Sequence, residues 1–204
     1  MEWLLRRADT RSTDVLAIET QFLFRSMIFT ETELKGVYLI ETEPLEDDRG
    51  FFARTFCREE FAKYGLNPQV AQCNLSYNRK KGTLRGMHYQ IAPREEAKLV
   101  RCISGAIYDV IVDLREDSTT YCQWLSLELS ARGRMLYIPE GCGHGYLTLA
   151  PNTDLVYQAS APYAPGSAKG VRYDDPAFNI VWPGAIRVIS LQDQNWPRFS
   201  RGAT

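Results

Sequence analysis

The stretch AKLVRCISGAIYDVIVDLR, residues 97–115, decides how this chain is built. It reads as two strands joined at Ser104-Gly105, a hairpin signal. The second half, IYDVIVDL, is apolar on both faces of an alternating strand, which suits a strand buried between layers. On the N-terminal side, GVYLIETE (36–43), GFFARTF (50–56) and VAQCNLSYN (70–78) read as further strands. On the C-terminal side QWLSLELS, RMLYIPEG, GHGYLTLA and DLVYQASAPY continue the series, with Leu127 and Leu129 on one face. Only CREEFAKYG has the look of a helix, ended by Gly65. Roughly ten short strands without a βαβ rhythm predict an all-β sandwich or barrel. Beyond Tyr163 the chain turns loop-rich (APGSAKG, YDDPAF, VWPGA) and is expected to wrap that body.

The composition narrows the function classes. At 204 residues the chain fits one self-sufficient domain, and 45% hydrophobic with 24% charged residues is ordinary for a globular protein. A formal net charge of −1 carries no polyanion signature, so nucleic acid is not an expected partner and any phosphate site must be a local cluster. Cys57, Cys73, Cys102, Cys122 and Cys142 stand singly, as reduced thiols of a cytoplasmic protein would. No apolar run reaches the length of a membrane span, so no membrane partner is expected. Residues 1–26 carry an apolar patch broken by charges, without signal-peptide architecture, and Met27 follows directly. They are expected to be a non-essential extension of a domain spanning 27–204; an interaction arm or a docked helix is the alternative.

Immediately upstream of the fold-deciding stretch lies GTLRGMHYQIAPREEAK, residues 82–98. It holds His88, one of two histidines in the chain, flanked by Arg85, Gln90 and Lys98. Strand periodicity puts Leu84, Gly86, His88 and Gln90 on one face and Arg85, Met87 and Tyr89 on the other. Gly86 leaves room beside the imidazole for a ligand or another backbone. A histidine with few competitors, among small residues and a lysine, is a candidate proton handler. A hydrogen-bonded structural histidine is the plainer reading.

The second histidine, His144, sits in PEGCGH (139–144), and Pro-x-Gly-x-x-His after an apolar strand resembles the second signature of the cupin superfamily. That resemblance implies a jelly-roll β-barrel with its site inside. The metal-binding first signature departs here: Gln90 stands two residues after His88, and Lys98 lies where a glutamate ligand would fall. A lysine opposes a bound cation, and two imidazoles are too few for the usual ligand set, so no metal is expected.

Longer motifs make the resemblance specific. DDRGFF (47–52), QCNLS (72–76), LRGMHYQ (84–90), KLVRCISGAIYDVIVDLR (98–115), PEGCGHGY (139–146), LVYQ (155–158), YDDPAFNIVWP (173–183) and ISLQD (189–193) occur in one order. They resemble the dTDP-4-dehydrorhamnose 3,5-epimerase family, the nucleotide-sugar epimerase branch of the cupins. The resemblance implies a nucleoside-diphosphate 4-keto-6-deoxyhexose substrate and inversion at C3 and C5. A ketone at C4 acidifies both positions through an enolate. Inversion then needs a base on one face of the sugar, a proton source on the other, and a positive or hydrogen-bonding group at the ketone oxygen. No cofactor is implied, because the ketone is itself the electron sink.

By the same resemblance His88 is the base, Asp193 its orienting carboxylate, Tyr157 the opposing acid and Lys98 the enolate stabiliser. Taken singly, Tyr157 reads as a core aromatic, Asp193 as a turn residue and Lys98 as a solvated strand end. Substrate-binding residues implied are Arg49, Gln72, Asn74, Arg85, Lys98 and His144, while Tyr137 and Tyr146 read as barrel packing. A homodimer exchanging N-terminal strands is also implied. Some positions depart from the family pattern. Arg54 stands where a base-reading glutamate is usual, and a donor-only arginine suits a base with acceptors, such as cytosine, or a phosphate. Cys73 and Gln192 replace an acidic residue and a lysine. Two other readings follow: a single-centre epimerase on a CDP- or GDP-linked sugar, and a sugar-nucleotide-binding cupin without catalysis.

Overall fold

The computed structural model of the chain describes residues 26–131 and 133–200; the proposed extension lies outside this range except for Ser26. Thirteen strands and two short helices occur among the described residues, and most strands fall into two antiparallel sheets. The six-stranded sheet runs β1 (Ile28–Glu31), β2 (Tyr38–Glu41), β10 (Met135–Ile138), β7 (Lys98–Ser104), β12 (Thr153–Ala159) and β5 (Gln72–Asn78). The five-stranded sheet runs β13 (Ala168–Gly170), β6 (Leu84–Gln90), β11 (Cys142–Thr148), β8 (Ala106–Asp113) and β9 (Trp124–Ser130). A separate hairpin joins β3 (Leu45–Asp47) to β4 (Gly50–Phe52). The strands expected over 36–43 and 50–56 are thus shorter than their alternation suggested. From β5 onward the chain passes back and forth between the two sheets, with only β8 and β9 consecutive in one, the jelly-roll arrangement expected.

The Ser104-Gly105 hairpin does not form. β7 pairs with β10 and β12, whereas β8 pairs with β11 and β9 in the other sheet. Gly105 is a corner that hands the chain across: its φ is +74°, and a Cβ there would meet Thr153 Oγ1 at 2.3 Å. Alternation predicts a strand but not its partner, and here the partners are distant in sequence.

Three apolar layers explain why β8 is apolar on both faces. Between the sheets, Ile107 and Ile111 pack with Val100, Leu136, Ile138 and Leu155. Behind the five-stranded sheet, Val110 and Val112 join Met87 under Val171 and Phe178 of the C-terminal wrap. Behind the six-stranded sheet, helix α1 (Arg58–Lys63) seats Phe61 against Ile40, Leu99 and Met135. Gly65, with φ +70°, follows that helix, as its sequence suggested. Each fully buried aliphatic side chain in these layers contributes about 1.5–3 kcal/mol. The inter-sheet layer is apolar at one end only; at the other it opens into a polar cavity.

Candidate active site

The cavity, of about 580 Å³, is walled by both sheets. On the six-stranded side the i, i+2 spacing of strand residues brings in Gln72, Asn74 and Ser76 from β5, Lys98 and Val100 from β7, and Leu155 and Tyr157 from β12. On the other side stand Arg85, His88 and Gln90 of β6, with His144 and Tyr146 of β11. Eight of the sequence-derived residues therefore meet: His88, Tyr157, Lys98, Gln72, Asn74, Arg85 and His144 line the cavity, and Asp193 lies hydrogen-bonded behind His88.

Strict alternation on β6 is broken, and this is what lets Arg85 and His88 share the cavity. His88 pairs with His144 and Arg85 with Tyr146, so Gly86 and Met87 together oppose the single residue Gly145. Met87 turns out into the apolar layer under the C-terminal wrap. The room left by Gly86 is used by backbone: a Cβ there would lie 2.4 Å from Gly145 Cα.

Each histidine holds a carboxylate. His88 Nε2 lies 2.7 Å from Asp193 Oδ1. Asp193 belongs to helix α2 (Leu191–Gln194), where its own N–H is capped by Ser190 Oγ at 3.0 Å, while Asp193 Oδ2 accepts from the Gly86 N–H at 3.3 Å. Burial alone would push the Asp193 carboxyl up. The His88 hydrogen bond and charge, with the Gly86 N–H, outweigh it and hold the group below the usual carboxylate range. Trp196 closes the rear of this unit, its ring 6.2 Å from the His88 ring and so close over Gly170 that a Cβ there would meet it at 2.3 Å.

The second pair is His144 Nε2 to Asp109 Oδ1 at 2.6 Å. Asp109 was not singled out in the sequence, although a carboxylate amid IYDVIVDL was the available signal. Tyr146, read as packing, is buried but also polar in use: its hydroxyl meets Ser76 Oγ at 2.8 Å and the Asn78 amide at 3.3 Å. The same Asn78 accepts from Arg85 Nε at 2.9 Å, which fixes the guanidinium at the cavity wall. Lys98 Nζ donates to the His88 carbonyl at 3.3 Å and pairs with Glu96 at 3.0 Å. Burial raises the Tyr157 phenol, and the Glu96 charge raises it further. Among the described residues, no three His, Cys, Asp or Glu side chains gather as a metal site would require.

Arg49 and Arg54 are not brought to this cavity. Arg49 is 89% exposed on the β3–β4 hairpin and forks onto Asp47. Arg54 pairs with Glu60 of α1, whose carboxylate also accepts from the Met27 N–H at 2.8 Å.

The family profile described as dTDP-4-dehydrorhamnose 3,5-epimerase matches residues 31–201. The chain belongs to that epimerase family. A 3,5-epimerase of this name from Sinorhizobium fredii is 39% identical over 173 residues, covering 84% of this chain and 89% of the relative. The crystal structure of dTDP-4-dehydrorhamnose 3,5-epimerase from Bacillus anthracis, with TDP and pyrophosphate bound, superposes with a TM-score of 0.82. It is 37% identical and covers 85% of this chain and 100% of that one. A family member from Streptomyces niveus named as a dTDP-4-dehydrorhamnose 3-epimerase is 37% identical, covering 79% of each chain. Epimerase-family chains thus carry both double- and single-centre names on one scaffold.

Proposed function

We propose that this chain is an isomerase inverting C3 and C5 of a dTDP-linked 4-keto-6-deoxyhexose. The observation that carries the reading is the placement of His88, backed by Asp193, on one sheet and of Tyr157 with Lys98 on the facing sheet. A sugar held between the sheets presents one ring face to each, as inversion demands.

With the Nε2 proton given to Asp193, the lone pair of His88 remains on Nδ1 to take the proton beside the ketone. Asp193, hydrogen-bonded to the ring, would stabilise the imidazolium that results. Charge then develops on the ketone oxygen, where the Lys98 ammonium answers it without a cofactor. Tyr157, kept protonated by burial, returns a proton from the opposite side. Arg85, tethered through Asn78, supplies charge for the diphosphate, with Gln72, Asn74 and His144 as polar contacts to the remaining substrate groups.

The homodimer implied by the family gives the β3–β4 hairpin a purpose. Arg49 and Phe51 are exposed there, and a second copy would provide the surface for them. A cytoplasmic location agrees with unpaired cysteines and a nucleotide-sugar substrate; among the described residues no helix is long and apolar enough to cross a membrane.

The test is incubation with dTDP-4-keto-6-deoxyglucose in D₂O, followed by NMR. Deuterium at both C3 and C5, lost in His88→Ala, is expected. Label at one carbon would favour the single-centre reading, which the Streptomyces niveus relative's name keeps open. Label appearing only with a CDP- or GDP-linked sugar would overturn the nucleotide.

A further inference from the structure

Glu96 is the only carboxylate among the described residues lining the cavity. A cavity for a doubly charged diphosphate gains nothing from a free negative charge, so its presence calls for a local partner. That partner is Lys98, at 3.0 Å, with the two side chains only 11% and 9% exposed. The spacing is decisive: extended residues two apart point the same way, so Glu96 and Lys98 both face inward while Ala97 between them faces the opposite layer. Ala97 is pinned in turn, its N–H to Ser160 Oγ at 2.8 Å and its carbonyl to the Ser160 N–H at 2.9 Å. The acidic side chain thus hangs from a fixed backbone.

An ammonium has three donors. In this structure Lys98 gives one to Glu96 and one to the His88 carbonyl, which leaves a single N–H for anything in the cavity. A lysine without these restraints has a flexible four-carbon stem and many orientations.

We infer that Glu96 is a positioning residue for the reaction, holding the Lys98 ammonium so that its third N–H meets the ketone oxygen where the enolate forms. This rests on the epimerase reading above. Glu96 also bears on Tyr157. The groups acting on that phenol are Glu96 from the loop before β7, Tyr146 on β11 and Arg85 on β6, while Lys98 on β7, His88 on β6 and His144 on β11 share its cavity. Of these Glu96 carries the negative charge that opposes a phenolate, and so it preserves the proton Tyr157 must donate.

The experiment compares full-length wild type, Glu96→Gln and Glu96→Ala in solvent-deuterium exchange with dTDP-4-keto-6-deoxyglucose across pH. Glu96→Gln keeps the shape and one acceptor but not the charge. It should lower kcat about tenfold with KM little changed, since the lost interaction matters most when charge develops. Its alkaline limb should also move to lower pH, because Tyr157 loses the opposing carboxylate. Glu96→Ala should lose more kcat and also some stability, since it leaves the buried Lys98 ammonium without its carboxylate, so it is assayed at a temperature where circular dichroism shows it folded. A second readout does not depend on turnover: mass-spectrometric tracking of Lys98 acetylation by acetic anhydride. Lys98 should label severalfold faster in Glu96→Ala than in wild type. Unchanged labelling overturns the inference, as do variants with wild-type kcat and pH profile, or with a change in KM alone. If wild type exchanges no deuterium, the epimerase reading falls and the catalytic role of Glu96 with it, while faster labelling would still show that Glu96 holds Lys98.

Discussion

The two histidine–carboxylate pairs stand side by side on adjacent strands, yet they are built for different work. The His88 side chain is 44% exposed beside an Asp193 that is 5% exposed, whereas His144 is 11% exposed over an Asp109 that is fully buried. Asp193 comes from the C-terminal wrap and spends both oxygens, on His88 and on the Gly86 N–H. Asp109 comes from the strand next door and leaves Oδ2 without a partner in the described structure. The difference teaches that one motif serves two ends. The open pair presents its ring to the cavity; the closed pair is built into the cavity wall.

The sharpest way to break this comparison is to remove each ring in turn. His88→Asn should reduce deuterium exchange by about 10²–10⁴-fold, the usual worth of a general base, while the melting temperature changes little. His144→Ala should do the reverse in emphasis: losing the ring strands a buried carboxylate at a cost of about 3–5 kcal/mol, read by denaturant unfolding. Exchange that survives His88→Asn and vanishes in a folded His144→Ala would invert the assignment.

A smaller effect is expected on pH. The Asp193 carboxyl titrates lower in the folded chain than its ordinary value of 3.8. Such a group stabilises the fold fully above the unfolded value and loses that contribution as pH falls through the lower folded one. Asp113 behaves likewise: burial opposes its charge, but Arg115, Ser118 and Thr120 hydrogen bonds prevail. Wild-type stability should therefore decline below about pH 4, and Asp193→Asn should flatten part of that decline by removing one of the contributing groups. An unchanged acid profile in Asp193→Asn would show that the α2 contact contributes nothing to folding.

The legibility of each feature followed its range along the chain. The helix ending before Gly65, the strand character of 84–90 and 98–113, and the doubly buried face of β8 are all local patterns, and each appears in the structure. The site residues were legible through long motifs in family order, and eight of them converge on one cavity. Arg49 and Arg54 were equally visible as motif residues, but their places on a hairpin and beside α1 depend on contacts no motif displays. Asp109 and Glu96 went unremarked because single carboxylates in strands look ordinary until a partner is seen across them.

By itself, then, the sequence determined an all-β chain, its family and the residues proposed to handle protons. Tertiary structure alone decided that 104–105 is a corner between sheets, that the extra residue at 86–87 swings Arg85 in beside His88, and that Glu96 claims one donor of Lys98. The physical reason is that backbone alternation and turn chemistry act over a few residues, while strand pairing and charge pairing are settled by partners tens of residues away.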